Sequence, residues 1–268
     1  NSPLYATYKR CFGPRLRSGV LCFLSTLTWA CAPEASTPPR GDTTLVVGFA
    51  EGTTQGTDLG IGQFVNLLNF ESLTNNDTSN GRPSPRLAER WAWENNDRTL
   101  RVFLRSGVLL HDGTPFEGAR AAEIVRRAAT DPGNLARYPA LSDISSIRAE
   151  KELELIIELT RPSAMLPEDL TVPLDKGRDP VGTGPYQVIE RGDDLILQRF
   201  DRYYLGTPSI DRVVVRSFKQ LRTTWASLLR GEVDMVYDVP GEAVEFISND
   251  DIQVVRAARW YQYAIAFN

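Results

Sequence analysis

Histidine occurs once in the 268 residues, at His111, and cysteine three times, at Cys11, Cys22 and Cys31. One imidazole excludes a multi-histidine metal centre, and any Ser/His/Asp arrangement would have to be built on that ring. With every cysteine at or before position 31, the body of the chain can form neither a disulfide nor a thiolate metal site. The apolar run Val20–Ala30 has 11 residues, well short of the roughly 20 needed to cross a bilayer. No internal repeat is present. Basic charge is outnumbered by acidic charge beyond the N-terminus. Four of the 30 basic residues (Lys9, Arg10, Arg15, Arg17) fall in residues 1–31, which hold no acidic residue. Residues 32–268 then carry 26 basic against 34 acidic groups, a net −8. So acidic a body argues against a nucleic-acid partner, which needs a basic face.

The first 31 residues have the layout of an export signal: a basic stretch from Lys9 to Arg17, the apolar run, then Cys31. Residues 32–42, rich in Pro, Ser and Thr, read as a flexible tether. Together they resemble a bacterial lipoprotein signal with Cys31 as the lipid attachment residue, although Thr28 and Trp29 replace the Leu and small residue usual before such a Cys. The plainer alternatives are a cleaved secretory signal without lipid, or an internal segment with an incidental Cys. The body is expected to span residues 43–268.

Along the body, Thr44–Phe49 reads as a strand, followed by a Gly/Thr-rich loop from Glu51 to Asp58 and a helix carrying Phe64, Leu67, Leu68 and Leu73. Thr99–Arg105 alternates so that Leu100, Val102 and Leu104 share a face. A helix is expected through Ala121, Ile124, Val125 and Ala128, a hairpin over 144–160 turning at Glu150-Lys151, and a second hairpin over 186–199. A strand at 212–217, a helix at 223–230, a strand at 233–237, a short helix at 242–247 and strands at 252–256 and 261–267 follow. These units predict an α/β organisation with two subdomains.

Several segments, in order, carry a resemblance: Leu87-Ala-Glu-Arg-Trp91, Asp97–Val108, His111-Asp-Gly-Thr-Pro-Phe116, Val181-Gly-Thr-Gly-Pro-Tyr186, Leu197–Tyr204 and Gly231-Glu-Val-Asp-Met235. They resemble bacterial extracellular solute-binding proteins of family 5, the peptide-, oligopeptide- and nickel-type substrate-binding lipoproteins of ABC importers. The resemblance covers roughly residues 43–268. It implies a periplasmic-binding-protein-like α/β lobe (type II, peptide-binding class), with a hairpin-rich subdomain inserted at about 75–180. The chain is expected to hold the N-terminal lobe only, the second lobe being absent, and so to bind poorly alone. The implied function is a non-enzymatic, monomeric receptor without a cofactor. It would close around a small solute, a peptide before others, and deliver it to ABC permease subunits. Arg120 and Phe200 stand where the family usually has Asp and Asn, departures expected to bear on local capping. Alternatives in other classes are a surface signalling or interaction lipoprotein and a secreted hydrolase, which would need a nucleophile and base in one pocket.

For individual residues, His111 is expected to be a turn residue rather than a ligand or base. Asp193-Asp194 and Asp250-Asp251 are expected to cap turns. Gly182-Thr-Gly184, with no Lys at Walker spacing, reads as a tight turn between strands. The candidate ligand contacts are Gly52, Thr53, Thr54 and Gln55, which offer hydrogen bonds without bulk just past a strand's carboxyl end, where α/β folds bind ligands. Asp58 is expected to cap the next helix. Trp260 and Tyr263, with Tyr261, are candidates to line a cleft, ordinary packing being the alternative. No catalytic or metal-ligating residue is assigned.

Overall fold

The computed structural model describes residues 4–8, 42–50, 61–77, 79–174, 181–237, 244 and 252–256. The chain divides into two compact units, residues 1–51 with 216–268, and residues 52–215. In chain order the elements are β1 (Leu4–Tyr8), β2 (Thr44–Ala50), α1 (Ile61–Asn69), β3 (Thr74–Asn76), β4 (Pro83–Pro85), β5 (Ala88–Glu94), β6 (Thr99–Leu104), α2 (Gly118–Thr130) and α3 (Pro132–Arg137). A 3-10 turn (Pro139–Asp143) leads to β7 (Ile144–Lys151), β8 (Glu154–Leu159), α4 (Leu166–Asp169), β9 (Tyr186–Arg191), β10 (Asp194–Arg199), β11 (Arg212–Phe218), α5 (Leu221–Leu229), β12 (Met235–Tyr237) and β13 (Ile252–Arg256).

In the first unit, β1 pairs antiparallel with β12 and with β13, and β12 pairs parallel with β2. Three strands, β2, β12 and β13, therefore run in one direction. The strand β1 lies within the segment read as an export signal. Gly48 lets α5 approach β2, since a Cβ there would come 3.1 Å from Thr224 Cγ2 and 3.2 Å from Phe218 Cε2. The Gly231–Met235 segment does two jobs. Gly231, at φ +70°, ends α5, its N–H bonding the Leu228 carbonyl while the Glu232 N–H reaches Ser227, the Schellman arrangement. Three residues on, the Asp234 N–H donates to Val46 O at 2.8 Å and its carboxylate accepts from the Val46 N–H at 2.9 Å, fixing the start of β12 beside β2.

The second unit is built on an antiparallel sheet of order β5-β6-β8-β7. Period-two alternation puts Leu100, Val102 and Leu104 on the inner face, as expected, with Leu155, Ile157 and Ile147 beside them. The helix α2 covers this face through Ala121, Ile124, Val125 and Ala128, all buried. Each large aliphatic side chain so enclosed contributes about 1.5–3 kcal/mol. On the other face Arg101 bridges Glu94 at 2.7 Å and Glu154 at 3.1 Å. The turn from β5 to β6 uses Asn95, Asn96 and Asp97, all at positive φ, a region these short polar residues tolerate.

Several expectations are corrected. The helix α1 ends at Asn69, so Leu73 lies beyond it, and Leu67 is 69% exposed. The 144–160 hairpin turns at Glu152-Leu153 rather than a pair earlier. β5 was not expected as a strand, and its pairing with β6 shifts register between Ala88 and Arg90, which breaks the alternation that marks a strand in sequence. No side chain caps the start of α2, and Arg120 instead pairs with Asp112 at 3.6 Å. Most of the 242–247 helix and the strand expected at 261–267 lie outside the described residues.

Candidate functional site

Gly52, Thr53, Thr54, Gln55, Trp260, Tyr263 and Cys31 lie outside the described residues, as do Asp58 and Tyr261. What is described is the strand framework that precedes two of these groups in sequence. With β2, β12 and β13 co-directional, their carboxyl ends, at Ala50, Tyr237 and Arg256, lie at one edge of the first unit's sheet. Parallel strand ends of this kind are where open α/β sheets take up ligands, because the loops leaving them are free to diverge.

His111 and the Gly-Thr-Gly segment, widely separated in sequence, form a single joint in the second unit. The His111 backbone N–H donates to Gly182 O at 2.9 Å, and its ring Nε2 lies 2.9 Å from Gly184 O. A carbonyl can only accept, so Nε2 carries the proton and Nδ1 the lone pair. Nδ1 is buried and has no hydrogen-bond partner among the described residues. Burial lowers the imidazole pKa below its ordinary value, against smaller opposing effects of the Gly184 hydrogen bond and Asp112. The ring packs edge-on against Phe200 at 5.1 Å between centroids. Phe200, the residue that departs from the usual Asn, thus supplies an apolar wall for His111 rather than a cap. A histidine so enclosed, with Nε2 engaged by a backbone carbonyl, ties the two segments together.

The Gly-Thr-Gly segment also meets the end of α1. The Gly184 N–H donates to Asn69 O at 3.1 Å, and the Asn69 side-chain oxygen accepts from the Val188 N–H at 3.2 Å. A Cβ on Gly182 or Gly184 would overlap the Asn69 or Leu68 carbonyl. These glycines are required by the close approach of another backbone; the expectation of a tight turn missed that neighbour.

Beside this joint is a cluster that sequence spacing could not reveal. Glu71, with 2% of its side chain exposed, receives Arg86 at 2.6 Å. Its Oε1 also accepts from the hydroxyls of Tyr203 and Tyr204, each at 2.9 Å. Arg86 donates further to the Tyr203 oxygen at 2.7 Å. Burial, and then the Glu71 carboxylate, push the Tyr204 hydroxyl up to about 12 and Tyr203 higher still. The two tyrosines stand more than 100 positions from Glu71 along the chain; the only signal in the sequence was the Tyr203-Tyr204 pair inside a motif already singled out. Among the described residues no three His, Cys, Asp or Glu side chains group to hold a metal, and no helix is long and apolar enough to cross a membrane.

Comparison with known proteins places this architecture. Residues 82–268 match the family described as bacterial extracellular solute-binding proteins, family 5 Middle. A glutathione-binding protein of Pectobacterium atrosepticum is 27% identical over 182 residues, 62% of this chain and 35% of that protein. Among solved structures, NikZ from Campylobacter jejuni in complex with Ni(L-His) superposes with a TM-score of 0.64 at 21% identity, over 78% of this chain and 45% of that one. The ABC transporter-associated periplasmic binding protein DppA from Helicobacter pylori, in complex with the peptide STSA, gives 0.63 at 19% identity, over 76% and 48%. At these identities the structures show the shared fold. The chain spans about a third to a half of the length of the proteins it matches. The match over residues 82–268 and the fold shared with the solved structures lead to one assignment: the chain belongs to the family 5 bacterial extracellular solute-binding proteins, with the periplasmic-binding-protein α/β fold.

Proposed function

We propose that this chain is part of a receptor that captures a small solute, a peptide before other classes, and delivers it to the membrane subunits of an ABC importer. The observation that carries the reading is the family membership over residues 82–268. The named ligands of the similar proteins are glutathione, the peptide STSA and Ni(L-His). What they share is the amino-acid unit, with its amine and carboxylate groups. Recognition of such a unit calls for backbone and small polar donors and acceptors rather than a catalytic group. Gly52, Thr53, Thr54 and Gln55, which follow β2, are proposed to bond the ligand's main-chain groups, and Trp260 and Tyr263, which follow β13, to pack on it. The co-directional ends of β2 and β13 support this reading.

The test is uptake. Disrupting the gene in its native bacterium should abolish import of at least one isotope-labelled short peptide. Loss of nickel–histidine uptake with all peptides unaffected would replace the ligand class, and unchanged uptake of both would sink the importer reading.

Export with a lipid anchor at Cys31, to the periplasm or cell surface, belongs to the same proposal and rests on the basic, apolar, Cys, tether order of residues 9–42. Mass spectrometry of the membrane fraction should find Cys31 as a lipid-modified N-terminus; an unlipidated terminus at another residue would overturn it.

A further inference from the structure

We infer that His111 is an acid-sensitive latch: while neutral it holds the Gly182–Gly184 segment against the end of α1, and on protonation it lets that segment go. This device is a property of the second unit and does not depend on the ligand proposed above.

The argument starts from the ring's surroundings. Nε2–H is committed to Gly184 O, so a second proton must go to Nδ1, which is buried with no partner among the described residues. The charged groups around it offer little relief. Asp112, the adjacent anion, accepts from the Thr114 N–H at 3.0 Å and hydroxyl at 2.6 Å and faces Arg120 at 3.6 Å. From the 200–204 segment comes another cation, Arg202, whose guanidinium carbon lies 5.9 Å from the Phe200 ring centre. Phe200 itself is an apolar wall. An imidazolium here is a buried charge whose adjacent anion, Asp112, is already engaged, a costly state that the ring escapes by turning out to water.

Leaving has a defined consequence because the joint has so few parts. Gly182 and Gly184 have no side chains, and the described hydrogen bonds closing the joint are His111 N–H to Gly182 O, His111 Nε2–H to Gly184 O, Gly184 N–H to Asn69 O and Val188 N–H to the Asn69 side chain. Two of these four come from His111. Losing the ring bond removes the contact that presses Gly184 toward Asn69, so the two bonds made to Asn69, from the Gly184 and Val188 N–H groups, open with it.

His111 is the chain's only histidine, so its ring resonances can be followed by NMR through a pH titration of the labelled 268-residue chain without ambiguity. Hydrogen exchange on the same sample, corrected for intrinsic rates, reads the Gly184 and Val188 amides. Their protection should fall about tenfold per pH unit below the ordinary imidazole pKa of about 6.5, levelling off at the pKa measured for His111. Amides of the four-stranded sheet, such as Leu104, should keep theirs. His111→Gln keeps an amide donor for Gly184 O but cannot take up a proton, and should make the Gly184 and Val188 protection independent of pH. The proposal is overturned if His111 titrates while those amides do not respond, if Leu104 loses protection in parallel, or if the Gln variant keeps the pH response. Should that variant fail to fold, the first two outcomes decide the matter on the unaltered chain.

Discussion

The backbone of Gly182 passes so close to Asn69 that a single methyl group on it would overlap the Asn69 carbonyl oxygen. Helix α1 and the Gly-Thr-Gly segment therefore meet backbone to backbone. That contact makes a short motif, cheap to form as a turn, costly to alter.

Gly182→Ala and Gly184→Ala should each destabilise the chain toward the top of the roughly 1–3 kcal/mol range of overpacking, because the obstructing atoms are main chain and cannot swing aside. Gly81, at φ +70° with nothing within 4 Å of a built Cβ, is the control. There Ala should cost only about 1 kcal/mol, the conformational penalty alone. Urea unfolding of the three variants checks the order.

Removing the Glu71 carboxylate strands three donors at once. Glu71→Ala should cost about 3 kcal/mol, since Arg86 and both tyrosine hydroxyls lose their acceptor. Tyr204→Phe removes one hydrogen bond and should cost about 1 kcal/mol. The double variant Glu71→Ala with Arg86→Met should be less destabilised than the two single changes added together, a coupling that a double-mutant cycle measures directly.

Alkaline pH should act through the same cluster. The Tyr204 pKa is raised from 10 to about 12 in the folded chain, and Tyr203 is raised as well. Above pH 10 the unfolded chain loses these protons while the folded chain keeps them, so stability is intact below pH 10 and falls as pH rises toward 12. Stability of Tyr204→Phe, measured by urea unfolding at several pH values, should decline less steeply over that interval.

In the proposed ligand loop, Thr53→Ala and Gln55→Ala should each weaken peptide binding by about fivefold, the value of one hydrogen bond, without lowering the melting temperature. Calorimetric titration of an identified peptide ligand provides the check. Equal affinity in both variants would remove this loop from the site.

Much of the fold was legible because local rules govern it. Leu100, Val102 and Leu104 alternate in sequence and share the buried face of β6; Ala121, Ile124, Val125 and Ala128 recur at helical spacing and cover it. The strand β5 was hidden because a register shift near Ala88 breaks its alternation. The end of α1 was misjudged because Leu73 was joined to the apolar face of Phe64, Leu67 and Leu68, although it lies five positions past Leu68; the helix stops at Asn69, where the Gly-Thr-Gly segment takes up its last carbonyl.

The sequence by itself settled the single imidazole, the absence of cysteine after position 31, the acidic body and the ordered motifs that match the family. These depend on composition and order, which need no folding to be read. Only the tertiary structure showed why the motifs consist of those residues. His111 ties two segments together because a carbonyl 73 residues away, on Gly184, engages its ring. Gly182 and Gly184 are glycines because the backbone at Asn69 leaves no space for a side chain. Glu71 is tolerated in the interior because Arg86, Tyr203 and Tyr204 converge on it. Each of these is a contact between distant segments, and the cost of a buried charge or a backbone clash exists only once folding has brought them together.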